Sequence, residues 1–148
     1  MKMNKFTGMI KRNELRLGNY VWHEGKEIIV DGIDNANDCI MVADKHTKIP
    51  FDEIEPIPLT PEWLEGCGFE KSQSDDDEQR DTWSIQVANN MALYYDPDEK
   101  YKCWYLSHEW NNNHFQNDFW ACPQYVHQLQ NLYFALSGEE LTIKEKTA

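Results

Sequence analysis

The sequence predicts an α+β fold, and three observations carry that expectation. Short apolar runs at close spacing fill the first third of the chain. Further on, Trp83, Ile85 and Val87 alternate with Ser84 and Gln86, which is the period of a strand with one face covered. Near the end, Val126, Leu129, Leu132, Tyr133 and Leu136 follow the stripe of a helix, with Gln128, Gln130 and Asn131 off it. The expected architecture is an N-terminal SH3-like small β-barrel over residues 13–58, followed by an α+β part over residues 59–143. That second part comprises a short linking helix and an antiparallel β-meander packed on a C-terminal helix.

Taken in order, residues 1–12 carry little pattern and read as a loose arm. Gly18-Asn19 marks a turn, Tyr20 to His23 a strand, Gly25-Lys26 a hairpin turn, and Glu27 to Val30 the returning strand. Cys39 to Ala43 and Thr47 to Phe51 are further strands. Thr60-Pro61-Glu62 is a helix start, with a hydroxyl cap, proline at the first helical position and an acid in the first turn. Gly66 and Gly68 end that helix early. Phe69 to Lys71 starts a strand, and the polar run from Ser72 to Asp81 reads as a mobile loop, because Asp75, Asp76, Asp77 and Glu78 repel one another. Asn89-Asn90 suits a tight hairpin, since asparagine tolerates positive φ. Met91 to Tyr95 returns, Asp96-Pro97-Asp98 turns, and Tyr101 to Leu106 is a third strand of the meander. Gly138 stops the last helix, and Leu141-Thr142-Ile143 reads as a final edge strand.

Composition narrows the function classes. The 148 residues carry 26 acids and 14 bases, a net charge of −12. Five of the bases (Lys2, Lys5, Lys11, Arg12 and Arg16) fall in the first 16 residues. The remaining body repels phosphate backbones at long range, so direct nucleic-acid binding is not expected. No run approaches the roughly 18 apolar residues of a membrane span. Met9-Ile10 is followed at once by Lys11-Arg12, which does not read as a secretion signal. Cys39, Cys67, Cys103 and Cys122 have no paired spacing and read as thiols of a reducing compartment.

The chemistry-bearing residues concentrate in one place. Seven of the 19 aromatic residues lie between Tyr101 and Trp120, interleaved with two histidines and several amides. Rings stack on planar ligands, and amides read their edges. Trp104, Trp110 and Trp120 are the candidate stacking rings, Asn111 and Asn113 the candidate edge readers, and His108 and His114 the candidate phosphate contacts. The competing reading is a long polar loop pinned to the core by its aromatics. His108, His114, Asp118 and Cys122 match no zinc spacing, so no metal is expected. Cys122 precedes Pro123 at a helix start, but His127 lies five residues on, a poor placement for a nucleophile and base. His127 therefore reads as a surface or groove histidine. No catalytic residue is nominated and no cofactor is expected.

Three stretches carry a resemblance: Asn13-Glu14-Leu15-Arg16-Leu17-Gly18-Asn19-Tyr20-Val21; Pro56-Ile57-Pro58-Leu59-Thr60-Pro61-Glu62-Trp63-Leu64 with Gly68-Phe69; and Val126-His127-Gln128-Leu129-Gln130-Asn131-Leu132-Tyr133-Phe134-Ala135-Leu136-Ser137-Gly138-Glu139-Glu140-Leu141. Together they are similar to uncharacterised small accessory proteins of Bacteroides-type phages and mobile elements. The resemblance implies a phage-encoded protein working in the bacterial cytoplasm, and it transfers no active site. Small phage proteins of this kind often act against host defences, for instance by sequestering a nucleotide-derived immune signal. The expected function is accordingly non-enzymatic binding of a small nucleotide-like ligand. The first alternative is an acidic inhibitor that mimics DNA and binds a host defence protein. The second is a nucleotide-processing enzyme. Assembly with further copies of the chain is left open.

Overall fold

The computed structural model describes residues 10–43, 46–73, 81–96, 103–110, 113–118 and 122–144; at 73, 81, 103, 109, 110 and 113–118 it describes the backbone alone. The chain is α+β, with antiparallel sheets and, among the described residues, two α-helices, one of them C-terminal. It divides into two compact units, residues 1–59 with 124–131, and residues 60–123 with 132–148.

In the first unit, β1 (Tyr20–His23) and β2 (Lys26–Ile29) form a hairpin. Its two-residue turn has positive φ at Glu24 (52°) and Gly25 (77°), the twist-matched geometry for a two-residue loop. The strands β3 (Gly32–Asp34), β4 (Cys39–Val42) and β5 (Thr47–Pro50) form a separate three-stranded antiparallel sheet. The chain passes between the sheets at Val30 and Asp31: the Val30 N–H donates to Asn19 O at 2.9 Å, and the Asp31 N–H to Met41 O at 2.8 Å.

The expected SH3-like barrel is not formed, because no sheet closes among the described residues. After a 3-10 turn at Phe51–Glu53, the returning chain meets β1 at one place only among those residues. There, Trp22 and Glu55 exchange N–H···O bonds of 2.8 and 2.9 Å. The residue after Glu55 is Pro56, which has no N–H, and Pro58 repeats the interruption, so a longer ladder cannot propagate.

The core of this unit gathers Ile10, Leu15, Val21, Val30, Ile40, Val42, Ile49 and Ile54. Ile10 therefore corrects the expectation of a loose arm ending at residue 12: an apolar side chain within that stretch gains more from burial than it loses in freedom. Residues 1–9 lie outside the described residues. The helix α2 (Val126–Ser137) contributes its first half, 126–131, to this unit and its second half to the other.

In the second unit, α1 (Pro61–Gly66) begins as expected: Thr60 Oγ1 accepts the Trp63 N–H at 3.2 Å, and Pro61 occupies the first turn. The strands β6 (Glu70–Gln73), β7 (Asp81–Ala88), β8 (Met91–Asp96), β9 (Cys103–Trp110) and β10 (Asn113–Asp118) form a five-stranded meander in sequential order. Asn90 takes φ +64° in the β7–β8 turn, and the register slips by one residue at Val87, a bulge beside that turn. One face of this sheet buries Trp83, Leu93 and Trp104, with Phe69 and the α1 side chains Trp63 and Leu64 also buried in the unit.

Three further expectations are corrected here. Residues 108–118 are not a long loop: β9 runs on to Trp110 and pairs with β10 from Asn113. The polar residues there pair through their backbones, which composition does not reveal. Ser72, Gln73 and Asp81, placed in a loop by their polarity, end β6 and begin β7 with Gln73 opposite Asp81, while 74–80 lie outside the described residues. Residues 141–143 form no strand; Leu141 is buried, and the Lys144 N–H donates to Gly66 O at 2.8 Å. The turn expected at 96–98 lies outside the described residues from Pro97 onward.

Candidate functional site

Of the residues that the sequence singles out, the structure describes the side chains of Trp104 and His108 and the backbone positions of Trp110, Asn113 and His114. Trp104 is 2% exposed, with Tyr95 stacked on it at 4.5 Å between centroids and Phe69 edge-on at 6.1 Å. It is a core ring, enclosed by other rings. The Tyr95 hydroxyl pKa is raised by burial first, then by the neighbouring Asp96 and Cys122. His108 is half-buried on β9, opposite Met91 on β8 and Phe115 on β10. Trp110 and Asn113 are register partners at the end of the β9–β10 hairpin, and His114 is opposite Glu109. Asn111 and Trp120 lie outside the described residues. Trp104, His108 and the hairpin positions thus belong to one sheet.

The other face of that sheet shows a different arrangement. Direct register places Glu70, Ser84, Tyr94, Tyr105 and Asp118 in one row across all five strands. In this row the Tyr94 and Tyr105 rings are parallel to within 2°, with centroids 5.1 Å apart. Directly opposite residues on neighbouring strands lie about 5 Å apart, so the two rings fill that spacing. Both rings are half-buried, as are Ser84, Ala92 and Ser107, while Gln86 and Glu70 are exposed. This contrasts with the buried Trp83, Leu93 and Trp104 behind them, although Asp96 at the strand end is buried. The sequence signal was present as the alternation of Tyr94 with Leu93 and of Tyr105 with Trp104, but it needed the register to make the two tyrosines neighbours.

A second polar constellation lies within the first unit. His127 is fully buried and Gln130 is 2% exposed, both on the first half of α2. This corrects the reading of His127 as a surface or groove histidine and of Gln130 as lying off the buried stripe. The His127 Nε2 lies 3.1 Å from Glu14 Oε1. Gln130 Oε1 accepts the Tyr20 N–H at 2.8 Å, and its Nε2 donates to Gly18 O at 2.9 Å. Asn131 Nδ2 donates to Glu14 O, and Asn131 Oδ1 accepts from Asn19 Nδ2 and Arg16 Nη1 at 3.0 and 3.1 Å. Gln130 and Asn131 are buried or half-buried here because they satisfy backbone groups of Gly18, Tyr20 and Glu14, while His127 meets the Glu14 carboxylate. A carboxylate can only accept, so Nε2 of His127 carries the proton. Nδ1 is then a lone pair, buried and without a hydrogen-bond partner among the described residues. Burial lowers the His127 pKa, and Glu14 opposes that shift only in part.

Among the described residues, no group of three or more His, Cys, Asp or Glu side chains is placed to hold a metal ion. No helix among them is long and apolar enough to cross a membrane. The class that fold and face define is an α+β protein with a tyrosine-bearing antiparallel sheet. No family model matches the chain, and no curated protein or solved structure matches it either.

Proposed function

We propose that this protein binds a small, planar, nucleotide-like ligand without turning it over. One observation carries the reading: the parallel Tyr94 and Tyr105 rings are half-exposed on a sheet face that also bears Ser84, Gln86 and Ser107. Ring faces supply sequence-tolerant stacking, about 1–3 kcal/mol per stacked base, and hydroxyl and amide groups beside them can read a ring edge. Trp104 is buried, and the half-exposed rings among the described residues of this sheet face are these tyrosines, which supports them as the stacking platform. The resemblance to phage accessory proteins supports placing this binding in a bacterial cytoplasm, as sequestration of a nucleotide-derived immune signal. Within the first unit, the order of three strands, a 3-10 turn and a return to Trp22 supports an SH3-like strand order for residues 13–58, without closure.

The test is capture and release. The protein is incubated with a panel of cyclic nucleotides and ADP-ribose derivatives, filtered away, and then denatured. A captured ligand leaves the filtrate and returns intact on denaturation. Tyr94→Leu should abolish capture while the circular dichroism spectrum is kept. Recovery of an altered compound would make the protein an enzyme, and no depletion across the panel would end the reading.

The second reading is an acidic inhibitor of a DNA-binding host protein. It rests on the net charge of −12 and on exposed Glu70 beside the tyrosine row. It requires binding to such a partner to weaken steeply with salt.

A further inference from the structure

We propose that the slot beside Tyr94, floored by Ser84 and walled by Glu70, selects a planar heterocycle that carries positive charge. The inference rests on the binding role proposed above and narrows its ligand to pyridinium-type or N-alkylated rings. A tyrosine ring has two faces. One face of Tyr94 is taken by Tyr105 from β9, parallel at 5.1 Å. Its other face therefore looks toward β7, where the directly opposite residue is Ser84. A serine rises far less from the sheet than a tyrosine does. The next residue in the row is Glu70 on β6, which is exposed. Two strand spacings, about 10 Å, separate the Tyr94 and Glu70 positions. One aromatic ring in contact on both faces needs about 7 Å, so the slot holds a single ring standing on Ser84.

Charge then decides which ring. The Tyr94 face presents the negative side of its quadrupole, and on the opposite side the ring meets the Glu70 carboxylate. A neutral heterocycle would turn a π face toward a carboxylate, which is repulsive. An anionic ring would meet both that carboxylate and the net charge of −12. A cationic ring is attracted from both sides. Gln86, two residues along β7 from Ser84, is exposed and gives its Nε2 to Ala88 O at 2.9 Å. That bond holds the amide beside the slot, at the edge where a carboxamide or exocyclic amine would lie.

The probes are N-methylnicotinamide methylated on the ring nitrogen, which is cationic, and nicotinamide, the same ring uncharged, each titrated into the full chain and followed by NMR. The cation should bind about tenfold more tightly, from the ring and carboxylate contributions together. Glu70→Gln should cut that ratio several-fold, to the share that the Tyr94 face supplies, and should strengthen nicotinamide binding slightly by removing the carboxylate from its π face. Because Glu70 is exposed, this variant tests the slot without challenging the core. Tyr94→Leu should weaken both probes. Equal affinities in the wild-type protein, or a preference that Glu70→Gln leaves undiminished, would overturn the proposal. Acetyl-arginine amide binding as tightly as N-methylnicotinamide would overturn it too, since the slot would then fit a protein side chain. If neither nicotinamide probe binds but the nucleotide panel is depleted, the slot assignment fails and the binding role stands. If N-methylnicotinamide binds with the expected ratio and the panel is not depleted, the slot stands and the nucleotide reading fails.

Discussion

His127 Nε2 lies 3.1 Å from Glu14 Oε1, and this pair joins the first half of α2 to the turn that precedes β1. The histidine is fully buried, whereas the Glu14 side chain keeps 32% of its exposure. The pair is therefore half-solvated, with the proton-carrying ring on the dry side. The imidazole is neutral, and its second nitrogen has no hydrogen-bond partner among the described residues. Charging the ring would create a buried N–H donor there with nothing to receive it.

This arrangement makes folding stability depend on pH. The folded-state pKa of His127 lies below its ordinary value of 6.5, from burial first and with Glu14 opposing. Above that value both the folded and unfolded states hold the ring neutral. As pH falls below 6.5 the unfolded chain takes up the proton first, so stability declines until the folded-state pKa is reached. Urea midpoints measured from pH 8 down to pH 5 should fall for the wild-type protein, with a smaller fall for His127→Gln. The difference between the two curves isolates this group from the carboxylates. Identical curves would mean that His127 is not the titrating group.

Gln130→Ala should be at least as costly as Leu132→Ala. The glutamine is buried and serves the Tyr20 N–H and the Gly18 carbonyl, while Leu132 is half-buried. Each of the two backbone groups left unmet costs about 1–3 kcal/mol, so a loss of about 2–6 kcal/mol is expected. Equilibrium urea unfolding of the two variants reads this directly. A negligible effect from Gln130→Ala would show that water replaces the side chain.

Two glycines should respond in opposite directions to alanine. Gly138 follows α2 at φ +78°, with its N–H on Phe134 O at 2.8 Å and nothing within 4 Å of an added Cβ. Gly138→Ala should therefore cost about 1–2 kcal/mol from backbone strain alone. Gly66 ends α1 without positive φ, and an added Cβ would meet Lys144 O at 3.6 Å, an ordinary contact. Gly66→Ala should stabilise by about 0.4–1 kcal/mol by restricting the unfolded chain. Thermal midpoints of both variants test the pair, and a shift of the same sign in both would contradict it.

Thr60→Ala should lower stability by about 1 kcal/mol, because Thr60 Oγ1 is the acceptor for the Trp63 N–H. Thr60→Ser should restore most of the loss. If serine fails to restore it, the threonine methyl group, and not the cap, is what matters.

Local chemistry made several elements legible in advance. The threonine cap and Pro61 place the start of α1, and Asn90 at φ +64° closes the β7–β8 hairpin. Strand alternation marks β7, where Trp83 and Val87 are buried and Gln86 is exposed. Gly138 ends α2 at positive φ. Each of these depends on residues within a few positions of one another, so it survives without knowledge of the rest of the chain.

The candidate site was much less legible. The density of aromatics from Tyr101 to Trp120 drew attention to Trp104, yet density cannot separate a core ring from a ligand-facing one. Trp104 and Tyr105 are adjacent in sequence and occupy opposite faces of one strand, the first buried against Tyr95 and Phe69, the second half-exposed against Tyr94. Polarity misled in the same way at His127 and Gln130. A helical wheel assigns polar residues to water, but residues 14–20 present backbone groups that Gln130 and Asn131 satisfy and a carboxylate, Glu14, that His127 meets.

By itself the sequence determined the α+β class, the acidic character and the local starts and stops of the elements, because these follow from residues near one another in the chain. Only the tertiary structure decided that Tyr94 meets Tyr105, that Ser84 separates Tyr94 from Glu70, and that His127 reaches back 113 positions to Glu14. The reason is register. A shift of one residue in any β7–β8 or β8–β9 pairing would exchange the two faces of a strand and leave the local pattern unchanged. Which partners satisfy a buried polar group is likewise set by the segments that fold against it, wherever in the sequence they lie.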